Sequence, residues 1–371
     1  MHTFQGALNE AEVLFKRALE FHKLIDDNIG QGNDYLGLGN IYDKLYKLNK
    51  AEALYQKALE FYNLANHAIG QGNGYLELGI IYVKLHKLSE AESSYKKGLI
   101  FHNLANSPIG QGDDYIGLGY VYLRLHKLNE AEAKFQKALE IYILMNLAGG
   151  QGNSYLGLGE IYFRLSKLSE AESSYKKGLI FHNLANSPIG QGDGYQGLGY
   201  VYLRLHKLNE AKASFQKALE IFSLINNAGG QGDAYKGLGD IHFKLNKLNE
   251  AFASYQKALE FHNLASETIA QGNAFKGLGD IHLKFGKLNE AETSYEKAID
   301  FHKLAKDALG QGNDLQSLGK VQIAKSHLQD AKILFENALA MHQQAQDPVE
   351  QEKDQHYLNE TLSKISETLR V

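Results

Sequence analysis

A glutamine returns at Gln31, Gln71, Gln111, Gln151, Gln191, Gln231, Gln271 and Gln311, and the wording around it returns too, giving eight 40-residue units with no insertion or deletion. Fixed self-similarity of this period leaves few folds open. A unit this short cannot bury an apolar face alone, so it must stack on its neighbours as a solenoid. Residues 87–113 and 167–193 are identical, two periods apart, as expected of an array that grows by duplication.

Each unit carries two helical patterns. Tyr35, Leu38, Ile41, Tyr42 and Leu45 recur at three- and four-residue steps and share a face of a first helix, A. Ala51, Tyr55, Ala58, Leu59, Phe61 and Leu64 define the core stripe expected of a second helix, B. Asn49 stands where an N-cap belongs, with Glu52 three residues on, and Ser89/Glu92, Asn129/Glu132 and Ser169/Glu172 repeat the arrangement, so a capping box is expected at each B helix. At the other turn, Asn106-Ser107-Pro108 reads as a helix end followed by an N-cap and a first-turn proline.

Tyr35, Leu38, Gly39, Tyr42, Ala51, Tyr55 and Ala58 give the order aromatic, Leu-Gly, Tyr, Ala, aromatic, Ala, and so this sequence resembles the tetratricopeptide repeat (TPR) family. The 40-residue period, the Leu38-Gly39-Asn40 string and the Gly-rich entry into helix A resemble the Pins/LGN-type subclass. The wording of the repeats is also similar to TPR regions of fungal NLR-like proteins. The resemblance implies an all-α, right-handed α-α superhelix in which A helices line a concave groove that binds peptide segments. Pins/LGN-type recognition uses an Asn at the end of that string and an Arg seven positions before it; Asn40 keeps the first, but Asn33 stands in place of the second. Carboxylate-clamp recognition is not matched either, since Lys236 and Lys276 face Asp240 and Asp280.

The expected layout is an N-terminal half repeat over 1–30, eight units over 31–346 and a capping helix over 347–371. In the half repeat Asn9, Ala11, Glu12, Phe15 and Ala18 match a B helix, so the sequence begins inside a repeat, either cut from something longer or with this helix as a makeshift cap. At the far end Leu358, Leu362, Ile365 and Leu369 form one apolar stripe with a polar back, as a solenoid end requires. Net charge of -4 and a pI near 6.4 give no general attraction to nucleic acid or anionic lipid. With no cysteine, thiolate metal sites and disulfides are excluded, which suits a cytoplasmic setting. Neither a signal peptide nor an apolar run of membrane-spanning length is present.

The Gly-rich string from Gly110 to Gly119 lies within a helix and recurs in every unit, with no strand before it, so it reads as close helix packing and not as a phosphate loop. Histidines at 86, 126 and 206 in turns and at 102, 182, 262, 302 and 342 on B helices are spread along the array and converge on no metal. No nucleophile, base and orienting acid stand apart from the repeat. The expected chain is therefore non-enzymatic, without cofactor or metal, and binds a protein or peptide.

The candidate groove follows from the 100° helical step, which puts positions 33, 36, 40 and 44 of helix A opposite its core stripe, with 43 beside them. Position 36 reads Leu36, Leu76, Ile116 and Leu156, then Gln196, Lys236, Lys276 and Gln316. Position 40 reads Asn40, Ile80, Tyr120, Glu160, Tyr200, Asp240, Asp280 and Lys320, and position 43 adds Val83, Leu123, Phe163, Leu203 and Phe243. Position 44 is a cation in seven successive units, Lys44, Lys84, Arg124, Arg164, Arg204, Lys244 and Lys284. An extended or helical segment is expected to set apolar anchors against the first half and acidic groups against this basic ladder.

Overall fold

The computed structural model describes residues 2–368, with side chains for 6–367. Among the described residues there are helices and turns and no strand. The helices are α1 (His2–Leu24), α2 (Asn28–Lys44), α3 (Leu48–Leu64), α4 (Ala68–Lys84), α5 (Leu88–Leu104), α6 (Pro108–Arg124), α7 (Leu128–Leu144), α8 (Ala148–Arg164) and α9 (Leu168–Leu184). They continue as α10 (Pro188–Arg204), α11 (Leu208–Leu224), α12 (Ala228–Lys244), α13 (Leu248–Ala265), α14 (Thr268–Lys284), α15 (Leu288–Leu304), α16 (Ala308–Ala324), α17 (Leu328–Gln344) and α18 (Pro348–Thr368). The chain divides into two compact units, Met1–Gly190 and Gln191–Val371, and each is a stack of the same helical hairpin.

Helix lengths are set by stop signals placed every 20 residues. Each helix from α1 to α17 is followed by a residue in the left-handed region, such as Tyr46 (φ 55°), Asn66 (φ 49°) and His86 (φ 58°). There Lys47 N donates to Tyr42 O at 2.9 Å and Tyr46 N to Asp43 O at 2.8 Å, the paired bonds of a Schellman end that satisfy two otherwise orphaned carbonyls. Asn106 adopts the same conformation and Pro108 opens α6, as its sequence indicates. The capping box does not form. Helix α3 starts at Leu48, its N-cap is Lys47 and no side chain caps it, so Asn49 is already inside the helix.

Four of the five residues read as the A-helix stripe are buried, with Tyr35, Leu38, Ile41 and Tyr42 between 4% and 9% exposed, while Leu45 is half-buried and stands just past α2 as its C-cap. Helix B differs from expectation at its C-terminal end. Ala51, Tyr55, Ala58 and Leu59 are buried, but Phe61 is only half-buried and Leu64 is 68% exposed, while Tyr62 at 1% takes the core place. Both positions suit a helical stripe; the A helices on either side pack over Tyr62, whose ring would meet a Cβ on Gly32 of α2 at 2.6 Å and one on Gly70 of α4 at 2.4 Å. Gly39 is needed for the same reason, because a Cβ there would stand 2.4 Å from the Tyr55 ring. In α18 the buried stripe is Asp354, Leu358 and Thr361, with Leu362 at 41% exposed; Leu369 lies outside the described residues.

Within each unit, successive A helices touch one another, as α4 does α6 and α12 does α14, while successive B helices do not. Each hairpin is thus a wedge, narrow on its A side. That geometry places the A-helix face on the inside of each stack.

Candidate interaction surface

In the first unit the structure gathers Leu76, Ile80, Val83 and Ile116 against one core cluster built on Tyr95, Leu118 and Phe135, and leaves all four partly exposed. Leu36 is likewise half-buried, and Tyr120 is 39% exposed with its ring edge-on to Phe135 at 5.1 Å. Phe163 is half-buried. Two candidate residues lie deeper than a groove residue should: Leu123 (3% exposed) and Leu156 (7%) belong to the interior of the stack. Both turn from the rim of the core stripe toward B helices: Leu156 lies against Gly178 of α9, and Leu123 joins the core cluster of Ala131 and Phe135.

The second unit presents a different face at the same positions. Lys236 and Lys276 are half-buried, and each reaches one turn on to its own helix: Lys236 Nζ to Asp240 Oδ2 at 2.9 Å and Lys276 Nζ to Asp280 Oδ2 at 3.0 Å. The other carboxylate oxygen accepts from a B-helix tyrosine, Tyr255 on Asp240 at 2.5 Å and Tyr295 on Asp280 at 2.6 Å. These phenols are held well above their usual range, first by burial and then by the carboxylate beside them. Tyr200 packs edge-on to Phe215 at 4.9 Å, Lys236 lies over its ring at 5.3 Å, and Leu203 is buried at 7%. Around Lys276, Asp280 and Lys284 an open cleft of about 750 Å³ continues to Phe243, Gln316 and Glu350.

Position 40 is therefore as much structural as exposed. Asn40 accepts from Tyr55 at 2.6 Å and Glu160 from Tyr175 at 3.2 Å, as Asp240 and Asp280 do from their tyrosines. Where B carries Phe instead, at Phe135 and Phe215, position 40 is Tyr120 and Tyr200, while Ile80 opposite Tyr95 and Lys320 opposite Phe335 depart. This acceptor-with-tyrosine pattern could have been found by comparing the repeats with one another.

All of the 44-position ladder is exposed, though parts of it have internal partners. Lys84 bonds Asp43 at 2.6 Å, and Arg164 bonds Glu160 at 2.7 Å and the Leu123 carbonyl at 3.1 Å. Lys44, Arg124, Lys244 and Lys284 carry no ion pair among the described residues. Arg124 has its pKa lowered, by burial and then by neighbouring Arg164.

Sequence reasoning passed over two further networks. The glutamates assigned to capping boxes accept from tyrosines of the following A helix instead, Tyr42 on Glu12 at 2.7 Å, Tyr122 on Glu92 at 3.0 Å and Tyr162 on Glu132 at 2.9 Å, and Gln322 takes over this role on Glu292. The B-helix histidines are buried, and His102, His302 and His342 pair through Nδ1 with Asp114, Asp314 and Asp354, both members fully enclosed. The helical spacing of 12 between partners was visible; that a turn would fold them together was not.

Tetratricopeptide repeat models match residues 35–65, 115–179, 194–263 and 277–301. No protein with a curated description matches the sequence. Among solved structures, a Rap protein complexed with competence and sporulation factor aligns at a TM-score of 0.61 and 15% identity, over 91% of this chain and 99% of that one. Aspartyl phosphate phosphatase F from Bacillus subtilis aligns at 0.59 and 16%, over 93% and 91%. The signal transduction ATPase with a tetratricopeptide repeat sensor from Pyrococcus horikoshii aligns at 0.59 and 16%, over 94% of this chain and 55% of that chain. At such identities the likeness is one of fold.

Proposed function

We propose that this chain, which belongs to the tetratricopeptide repeat family, is a non-enzymatic interaction module that takes an extended or helical peptide segment on its A-helix face. The observation carrying this reading is the half-exposed cluster of Leu76, Ile80, Val83 and Ile116, an apolar patch the chain leaves uncovered on the inner side of its first unit. The cations at position 44, with Arg124, Lys244 and Lys284 free of ion pairs, supply contacts for acidic groups or carbonyls of the same segment. Net acidity argues for protein over nucleic acid as the partner class. No helix among the described residues is long and apolar enough to cross a membrane.

Pins/LGN-type recognition is not part of this reading, because the Asn40 oxygen it would use already accepts from Tyr55 at 2.6 Å. A related role, the ligand-sensing part of an NTPase-TPR regulator, draws support from the fit of 94% of this chain onto 55% of the signal transduction ATPase with its repeat sensor. In that case the same face detects the ligand and another domain supplies the output. The test is a selection of random displayed peptides on the whole chain, repeated with Ile80→Glu. Enrichment of peptides with apolar anchors, lost in the variant, is expected; enrichment indifferent to Ile80→Glu would move the binding face to the B-helix side.

A further inference from the structure

At the start of the second unit, position 33 changes from Asn to Asp in two successive repeats, Asp193 and Asp233. Asp193 is exposed and makes no hydrogen bond or ion pair among the described residues. Asp233 is held in place by Gln196, whose Nε2 donates to Oδ2 at 3.1 Å. Behind it lies His262, fully enclosed, with Nδ1 against Glu267 at 2.9 Å. Its Nε2 has no hydrogen-bond partner and points at Asp233 Oδ1 from 3.8 Å, too far for a bond. The nearest cation on the same face, Lys236, is already engaged by Asp240 at 2.9 Å. The corresponding pair in the first unit is closed: His102 Nε2 lies 3.1 Å from Asn73 Oδ1.

Among the described residues Asp193 thus has no ion pair, and Asp233 faces only the enclosed His262 ring at 3.8 Å and a Lys236 already bonded to Asp240. Solvent displacement by the surrounding protein, then the neighbouring Asp233, pushes the Asp193 carboxyl up to about 6. Burial raises Asp233 as well.

We propose that Asp193 and Asp233 form a subsite for one cationic side chain, guanidinium or ammonium, of the segment bound on the A-helix face. The inference rests on the peptide-binding reading above and names one residue class of the ligand. Gln196, one turn on from Asp193 along α10, bonds Asp233 and so brings the two carboxylates to one patch that a planar guanidinium would bridge, with the enclosed His262 ring behind Asp233. Tyr200, with Lys236 over its ring, forms the adjoining wall.

The probe is N-acetyl-arginine methylamide, with the neutral citrulline counterpart as control, titrated into the whole chain carrying carboxylate-labelled aspartate and read by carbon NMR. The arginine compound is expected to shift two aspartate signals, one absent in Asp193→Asn and the other in Asp233→Asn, with binding roughly tenfold weaker in each variant. Citrulline is expected to shift neither. Equal shifts with citrulline, no shift with arginine, or arginine binding unchanged in both variants would overturn the subsite. The groove reading is judged separately, by the displayed peptides: enrichment lost in Ile80→Glu but without arginine or lysine preference leaves the groove intact and removes the subsite. The Asn substitutions keep side-chain shape, and Asp193 has no internal bond to lose, so misfolding does not mask the result.

Discussion

The two units are built from the same 40-residue sentence, yet they show a partner opposite chemistries. In the first, position 36 is Leu36, Leu76 and Ile116 and the surface beside it is apolar; in the second it is Gln196, bonded to Asp233, then Lys236 and Lys276, tied into Lys–Asp–Tyr chains. The stack itself does not register the change. Ala91, Phe135 and Ile161 in one unit and Ala211, Phe215 and Ile241 in the other are all 0% exposed. Positions 36 and 40 lie at the edge of the stacking stripe, Leu156 alone of those described at position 36 of the first unit turning fully inside, so they can change character while the hairpins keep their packing. A repeat array separates the residues that hold it together from those that meet other molecules.

The largest effect should come from attacking what the units share. His102→Leu and His302→Leu each leave a fully enclosed aspartate without its partner, a loss of about 3 kcal/mol or more. Urea unfolding with amide exchange should show similar losses, each concentrated in the unit that carries the substitution, because repeat stability is a sum of local and neighbour terms. A large loss in one unit only would mean the scaffolds are not equivalent.

Next in size is a graft that erases the difference. Leu76→Lys with Ile80→Asp writes the second unit's Lys–Asp–Tyr chain opposite Tyr95. Calorimetry with a selected peptide should show affinity falling by about 2 kcal/mol, as expected for a central apolar anchor, while the melting temperature stays close to the parent. Retained affinity would place the energetic centre in the second unit.

A smaller effect separates the units by pH. Asp193 has a folded pKa raised to about 6 from 3.8, so the folded chain holds this proton more tightly than the unfolded one. The associated stability is fully present below pH 3.8 and is lost as pH rises through about 6. Asp193→Asn should therefore raise the melting temperature at pH 7.5 and change it little at pH 3.5; the equivalent Asn153 of the first unit, changed to Ala, should show no such dependence.

The smallest expected change is in Lys244→Ala with Lys284→Ala, exposed cations without ion pairs. Stability should stay within about 0.5 kcal/mol, while peptide association slows and becomes less sensitive to salt. If affinity instead collapses, the ladder is an anchor and the apolar cluster is secondary.

Sequence alone determined the period, the pairing of helices, most of their core stripe and the face that varies. These follow from local rules, since a 3.6-residue helix and a stop signal every 20 residues leave one arrangement in which the stripes are covered. What it could not rank were residues at the edge of the stripe. Leu64 and Tyr62 both satisfy the periodicity, and only the neighbouring A helix, closing over Tyr62 through Gly32, decides that the leucine faces water at 68% exposure. Glu92 was equally suited to a capping box and to Tyr122, and it meets the phenol of the next repeat because the box would have needed a helix starting two residues later. Positions 123, 156 and 203 were read as groove and lie inside for the same reason. A hydrogen bond or a contact between repeats depends on how closely two helices approach, and that distance is set by every side chain in the stack together, which no single periodicity contains.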